Sequence, residues 1–359
     1  MHLAPSAHSL VWPRAMVLVA VLFGSLLAGP ASGWAQSRRP TGDEWYQVKP
    51  LFLLVERVAA GAPAPADLEL SWQCHFIDAG AGVVLVPFTL DIRGGAFTSF
   101  PVAMYVRVVF RGEPAPAPGP IDALAQYPFE DAAIVEGPID GRLARAFTAP
   151  PGAYDVYVAL AERQSSSTAT PRTVVLKQEV TVPDLKSGLT TSSIIVVERV
   201  EADLAGGRAT YEQQLDDPYR LWGSRITPAT RRTFSASERL SVLFLVYQAQ
   251  AASDDKPNVE VSYSVRGGAP GAADSLIESI GPETFNATTL PPAFSLSGGD
   301  LILAGQQIPL SALAAGAYRL EIVVTDKVAH TAVRRTVPFF VGTADIALAS
   351  VRRQTPGWQ

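Results

Sequence analysis

The chain has 359 residues and 38.2 kDa, is 48% hydrophobic and 18% charged, and carries 28 Gly, 29 Pro and a formal net charge of -5. A disordered chain would be more charged and less apolar, and a collagen-like or disulfide scaffold would need Gly-X-Y periodicity or many Cys, so these classes are excluded. An acidic chain without a dense Lys/Arg tract is a poor match for nucleic acid, and the length suggests two domains at roughly 100–200 residues each.

Residues 1–35 read as a secretory signal peptide. Ala15 to Ala28 form an apolar run of 14 residues after Arg14, with small residues at Gly33 and Ala35. The run is shorter than the about 20 residues a spanning helix needs. Cleavage is expected near Ala35 or Gln36; Arg38 and Arg39 leave open an uncleaved anchor. Removal of the segment, whose one charge is Arg14, leaves -6. A lipoprotein would need a Cys directly after the run, whereas the single Cys is Cys74. The expected location is extracytoplasmic, periplasmic or secreted, with no membrane span unless the signal is retained.

After a polar lead at 36–44, a first module is expected over 45–190. In LELSWQCHFID, residues Leu68, Leu70, Trp72, Cys74 and Phe76 alternate with Glu69, Ser71, Gln73 and His75, which predicts a strand with the first set inward. A lone Cys in an oxidising compartment forms no internal disulfide. Cys74 therefore reads as a buried thiol among core side chains, with intermolecular or redox chemistry as the alternative. The Pro/Ala/Gly-rich stretches 61–67 and 112–120 read as extended surface loops, and 118–127 as a turn of helix. YDVYVAL and TVVLKQEVTV are β in character, rich in β-branched and aromatic residues at period two.

A short linker-like stretch, 183–193, leads to a second module over 191–342, and the chain repeats itself. LFLLVERVAA (51–60) matches SIIVVERVEA (193–202); 84–92 matches 242–248; 101–112 matches 257–268 at an offset of 156; and 150–162 matches 314–326 at an offset of 164. Helical pattern is thin, the best candidate being 209–222, where Pro218 would end it. Short strands punctuated by turns predict an all-β fold of two tandem immunoglobulin-like sandwiches rather than a βαβ fold. Gly152-Ala153-Tyr154 and Gly316-Ala317-Tyr318 each open a strand after a turn. Tyr154 and Tyr318 read as structural corner residues whose hydroxyls bond back to backbone, with ligand stacking as the alternative. Residues 343–359 read as a flexible tail.

Chemistry is scarce. The mature chain keeps two His, His75 on the outward side of its strand and His330 in a turn, so a nucleophile has few bases to draw on. No G-x-S-x-G, HExxH, Walker or GxGxxG motif occurs in a supporting context. No catalytic, metal or cofactor residue is assigned, and no cofactor is expected. The carboxylate pairs Glu130-Asp131, Asp216-Asp217 and Asp254-Asp255 read as solvated loop acids. The basic pairs Arg231-Arg232 and Arg334-Arg335 read as edge protection or ion-pair partners. Trp45, Tyr46, Tyr219 and Trp222 could mark a binding surface or packing between modules.

The phrases YPFEDAAIVEGP, GRLARAFTAPPGAYDVYVALAER, VVLKQEVTVPDLKSGLTTSSIIVVERV, ITPATRRTFSASERLSVLFLVYQ, FNATTLPPAFSLSGG and IPLSALAAGAYRLEIVVTDK together resemble a group of exported, functionally uncharacterised proteins of acidobacteria and related bacteria. They are also similar to the β-rich C-terminal regions of GWxTD-domain and von Willebrand A-related proteins. The resemblance covers most of 45–342 and implies a secreted tandem β-sandwich protein. There is no GWxTD string and no D-x-S-x-S motif, so the resemblance implies neither adhesion activity nor catalytic residues. The resulting expectation is a non-enzymatic interaction or structural protein for an envelope or extracellular protein partner, with a carbohydrate- or envelope-polymer-binding module as the alternative.

Overall fold

The computed structural model describes residues 42–342 apart from 67–68, 93–96, 98–100, 113–128, 138–140, 163–171, 204–210, 222 and 268–274. The expected signal peptide, the start of the polar lead, the helical turn at 118–127, Trp222 and the tail lie outside the described residues.

The described residues are all-β apart from two helices. The first half comprises α1 (Gly42–Ala59), β1 (Leu70–Cys74), β2 (Ile77–Gly80), β3 (Val83–Ile92), β4 (Val102–Phe110), β5 (Phe129–Val135), β6 (Arg142–Ala149), β7 (Gly152–Glu162) and β8 (Thr173–Val182). β1 and β2 lie end to end along one side of β3, and β6 pairs its other side. The facing sheet runs β5-β4-β7-β8, antiparallel throughout. Alternate residues of β3 (Val84, Val86, Phe88, Leu90) meet Met104, Val106 and Val108 of β4 and Val158 and Leu160 of β7 in one core.

The second half begins with β9 (Thr190–Thr191) and β10 (Ile195–Ala202) and continues through α2 (Tyr211–Asp216), β11 (Arg220–Leu221), β12 (Ser224–Pro228) and β13 (Thr233–Phe234). There follow β14 (Arg239–Tyr247), β15 (Val259–Gly267), β16 (Ser275–Phe285), β17 (Ile302–Pro309), β18 (Gly316–Asp326) and β19 (Thr331–Val341). The pairing order repeats the first sandwich. β9 and β10 flank β14, which pairs β17, and the facing sheet runs β16-β15-β18-β19. β13 adds a short parallel pair to the end of β19. The hairpin β11-β12 extends β10. α2 stops before Pro218, as the missing N–H requires.

Two of the sequence matches need correction. Val55-Glu56-Arg57-Val58 lies in α1, whereas Val197-Glu198-Arg199-Val200 lies in β10, so the same four letters take different structures. In α1, Val48, Leu51, Val55 and Val58 fall on one helical face and bury against Ala103, Tyr105, Ala132, Tyr157, Ala159 and Val175 on the outer face of the β4-containing sheet. Glu56 also pairs with Arg107 of β4. The copy in β10 instead pairs as a strand, with β14 at Val197 and with β12 from Val197 to Val200. Gly42 to Glu44, expected in the polar lead, start α1.

The second correction concerns register. Phe110 pairs Tyr154 and Gly267 pairs Tyr318; since Tyr154 and Tyr318 are the matching residues, β4 and β15 correspond at an offset of 157, not 156. One residue of slip would turn every side chain to the wrong face. With the observed offset, Ala103 and Tyr105 in the first sandwich correspond to Glu260 and Ser262 in the second. The first sandwich covers its apolar outer face with α1. The second displays a charged one, with Glu321 held by Arg266 at 3.1 Å and Arg334 at 2.7 Å.

Tyr154 donates to the carbonyl of Pro150 at 2.9 Å and Tyr318 to that of Ala314 at 2.8 Å, one turn upstream in each case. The two corners differ in their neighbours. Phe110 packs on Tyr154 with ring centroids 5.3 Å apart, and Gly152, at φ +154°, leaves it room: a Cβ there would sit 2.7 Å from the Phe110 ring. At Tyr318 the ring instead lies over Gly267.

Candidate functional site

The sandwiches share a packed junction. The side of β3 turned away from its own core carries Leu85 and Thr89, and the neighbouring β1-β2 edge carries Gln73, His75 and Ile77 on the same side. Against it lie Ile195, Val197, Tyr219, Leu221, Ile226, Leu245 and Tyr247 from the second half, which belong to the same hydrophobic cluster as the first core. The expected outward side of the strand is therefore an interior. His75, read as outward, is 2% exposed. Tyr219, one of the aromatics considered for binding, is buried as module packing.

Polar groups cross this junction in a chain. Tyr219 donates to His75 Nδ1 at 2.8 Å and lies 3.4 Å from Thr89 Oγ1. With the Gln73 amide oriented so that its nitrogen donates to the Ala229 carbonyl at 3.2 Å, its oxygen accepts from His75 Nε2 at 3.0 Å and from Arg232 at 3.2 Å. Both imidazole nitrogens are thus used by a neutral ring. Burial, reinforced by the Arg232 charge, lowers the His75 pKa to about 3. Alongside, the Phe76 N–H donates to Ser193 Oγ at 2.8 Å and the Asp78 N–H to Tyr247 Oη at 3.1 Å. Lys186 pairs with Asp78, and Arg142 reaches Glu198 at 2.7 Å.

Beside this network opens a groove of about 440 Å3. Its walls are Gln73 to Phe76 at the end of β1, Thr181, Pro183 and Leu185 where β8 leaves the first sandwich, Thr191 to Ile194 before β10, Arg232, and Arg335 to Pro338 of β19. Cys74 is on the core-facing side of β1 and packs against the first core, and it is partly exposed where the groove opens beside it. Burial pushes its pKa up to about 11, so it stays a thiol at neutral pH.

Two guanidiniums face the groove. Arg335 sits at an inward register between Val333 and Val337 and donates to Thr191 Oγ1 at 3.1 Å, Thr190 Oγ1 at 2.9 Å and the Arg334 carbonyl at 3.2 Å. Arg232 donates to the Ala229 carbonyl at 2.9 Å, and its own carbonyl accepts the Phe340 N–H at 2.8 Å, tying it to β19. Among the described residues neither has a carboxylate partner, and burial lowers the proton affinity of both. Their sequence neighbours are ion-paired, Arg231 with Glu238 at 2.5 Å and Arg334 with Glu321. The two basic pairs, read alike from sequence, thus each divide into a paired and an unpaired arginine. The inward place of Arg335 in the alternating AVRRTVPFFV was the available signal; Arg232 had none.

The acidic pairs do not converge. Glu130 and Asp131 lie in β5 rather than a loop, and Glu130 accepts from Tyr105 at 2.8 Å. Asp216 ends α2 beside Arg145, and Asp217 pairs Arg225 at 2.8 Å. Asp255 accepts from Ser295 and Ser297. His330 occupies the β18-β19 turn at φ 54°. Among the described residues no three His, Cys, Asp or Glu gather as metal ligands, and no helix is long and apolar enough to cross a membrane.

No protein-family model matches the chain, and no curated protein matches it. Among solved structures it is similar to trypsin-activated alpha-2-macroglobulin from Escherichia coli, at 11% identity and a TM-score of 0.22, over 79% of this chain and 17% of that one. A mutant Salmonella alpha-2-macroglobulin gives 13% identity and a TM-score of 0.21, over 78% and 17%. The chain thus spans about a sixth of the length of these proteins, and likeness at this level carries no functional argument.

Proposed function

We propose that this is a non-enzymatic, extracytoplasmic binding protein in which two immunoglobulin-like sandwiches, locked at a polar junction, receive a protein partner in the groove between them. The observation that carries the reading is the inertness of the groove's two chemically capable side chains. His75 has both nitrogens occupied and resists protonation, and Cys74 is held as a thiol. A general base needs a free lone pair and a proton affinity near the working pH, and a nucleophilic sulfur needs to be a thiolate. What remains is shape and hydroxyls from both sandwiches and positive charge from the second, which suits recognition.

A protein partner is favoured over a glycan by the lining. Phe76 is the one benzenoid ring among the groove residues, the others being Gln73, Cys74, the bonded His75, and Ser, Thr, Arg, Pro and aliphatic side chains, which offers little stacking surface for sugar rings. The extracytoplasmic location is supported by the signal-like segment at 1–35 and by the resemblance to exported tandem β-sandwich proteins. The test is capture of partner from the cell envelope by the mature protein. Thr336→Trp, which adds bulk at an exposed residue of the groove wall, is expected to abolish capture, while Glu260→Gln, two strands away in β15, and added soluble glycan leave it intact. Capture undiminished by Thr336→Trp, or lost on glycan addition, overturns the reading.

A further inference from the structure

We infer that the groove is an acid-recognition site, taking an extended carboxylate-bearing segment of polypeptide along the β19 edge, with its carboxylates paired to Arg232 and Arg335. This rests on the groove being the binding surface and names the chemistry of its ligand.

Three observations converge. First, burying a guanidinium away from water is costly unless a counter-charge compensates it, yet both arginines face the groove with neutral partners only. Elsewhere in the fold half-buried arginines find acids, as Arg142 does in Glu198 and Arg172 in Glu162. A planar fork of donors with unused N–H groups is the matched receptor for a carboxylate. Second, β19 is an edge strand. β13 covers it only at Phe340 and Val341, so among the described residues the stretch Thr331 to Pro338 has a strand neighbour on the β18 side alone. Its groove-lining part, Arg335 to Pro338, therefore presents main-chain groups to an extended visitor. Third, the backbones that carry the two arginines meet that edge at different points. Arg232 is bonded beside Phe340, five residues from Arg335, about 17 Å of strand at the ordinary rise. An extended segment lying along that edge passes both attachment points. Hydroxyls of Thr190 and Thr191 hold Arg335 from behind, so the guanidinium is preorganised.

The experiment uses the mature chain and a fluorescent alternating Glu-Thr peptide, its Gln-Thr counterpart and inorganic phosphate, read by anisotropy. The Glu-Thr peptide is expected to bind at least about tenfold more tightly than the Gln-Thr peptide, and Arg232→Gln and Arg335→Gln each to weaken it by about tenfold with a shallower salt dependence. Arg335→Lys should recover part of the affinity, Arg334→Gln should leave it unchanged, and phosphate should compete weakly. Equal binding of the two peptides, or indifference to both Arg→Gln substitutions in folded protein, overturns the acid-recognition inference. Phosphate displacing the peptide at equal concentration does so too, by assigning the site to a small anion. If Thr336→Trp abolishes envelope capture while Arg232→Gln and Arg335→Gln do not, the groove binds a partner by other chemistry. If Thr336→Trp has no effect on capture, the groove reading itself fails.

Discussion

Tyr219 donates its hydroxyl proton to His75 Nδ1 at 2.8 Å, joining residues 144 positions apart from the two sandwiches, with the rings edge to face at 5.6 Å. The ring is neutral, and that has a thermodynamic consequence. The His75 pKa falls from 6.5 to about 3 on folding, so between these values the unfolded chain binds more protons than the folded one. Acid therefore favours unfolding: this contribution is complete above pH 6.5 and is lost as pH falls towards 3. The expected slope is up to about 1.4 kcal/mol per pH unit. Urea unfolding of wild type and His75→Gln between pH 7 and 5 should show a lower baseline but a flatter acid limb in the variant. An identical slope in both would remove His75 as its source.

Loss of the Tyr219 hydroxyl leaves Nδ1 buried and unpaired. Tyr219→Phe should cost about 1–3 kcal/mol, and the paired His75→Phe/Tyr219→Phe variant should cost less than the two single changes added together. Strict additivity in this double-mutant cycle would show that the bond contributes nothing across the junction.

Leu245 belongs to the second sandwich by strand and to the first by packing, at 1% exposure. Because one apolar cluster runs from Ile77 to Tyr247, the described body is expected to melt in a single calorimetric transition. Leu245→Asp, which buries an unpaired charge at the junction, should split it in two. Two transitions in the wild type would contradict the shared core.

Helix α1 covers an apolar sheet face through Leu51, 2% exposed, and Val55, fully buried. Leu51→Ala should lower stability by about 2–5 kcal/mol. A chain lacking residues up to Ala59 should self-associate in light scattering through the exposed Tyr105 and Tyr157. A monomeric, equally stable truncated chain would show the helix to be dispensable.

Cys74 is partly exposed at the groove yet held at a pKa of about 11 by burial. At pH 8 only about one thiol in a thousand is then ionised, so alkylation by iodoacetamide should be slow in the folded protein and speed up sharply in urea. Rapid native labelling, read by mass, would show that access rather than ionisation governs this thiol.

The strands were legible because alternation is a local property. Val102, Met104, Val106 and Val108, like Val259, Val261, Tyr263 and Val265, announce a buried face whatever surrounds them. The groove was not legible. Arg232 and Arg335 look like their paired neighbours until the fold shows which have acids within reach, and Gln73 and His75 look outward until a second sheet covers them.

The sequence by itself determined the all-β class, the period-two strands, the repeated GAY turns and the shortage of catalytic side chains, since each depends on residues close along the chain. Tertiary structure alone decided that Val55-Glu56-Arg57-Val58 is helix and Val197-Glu198-Arg199-Val200 is strand. The reason is partner surface: the first finds a flat apolar sheet face that a helical stripe can cover, and the second finds a free strand edge whose backbone groups need pairing. The four shared residues cannot choose by themselves; their flanks lean the same way, Leu and Ala around the first copy and Ile and Val around the second, and burial and hydrogen bonding at a distance complete the choice.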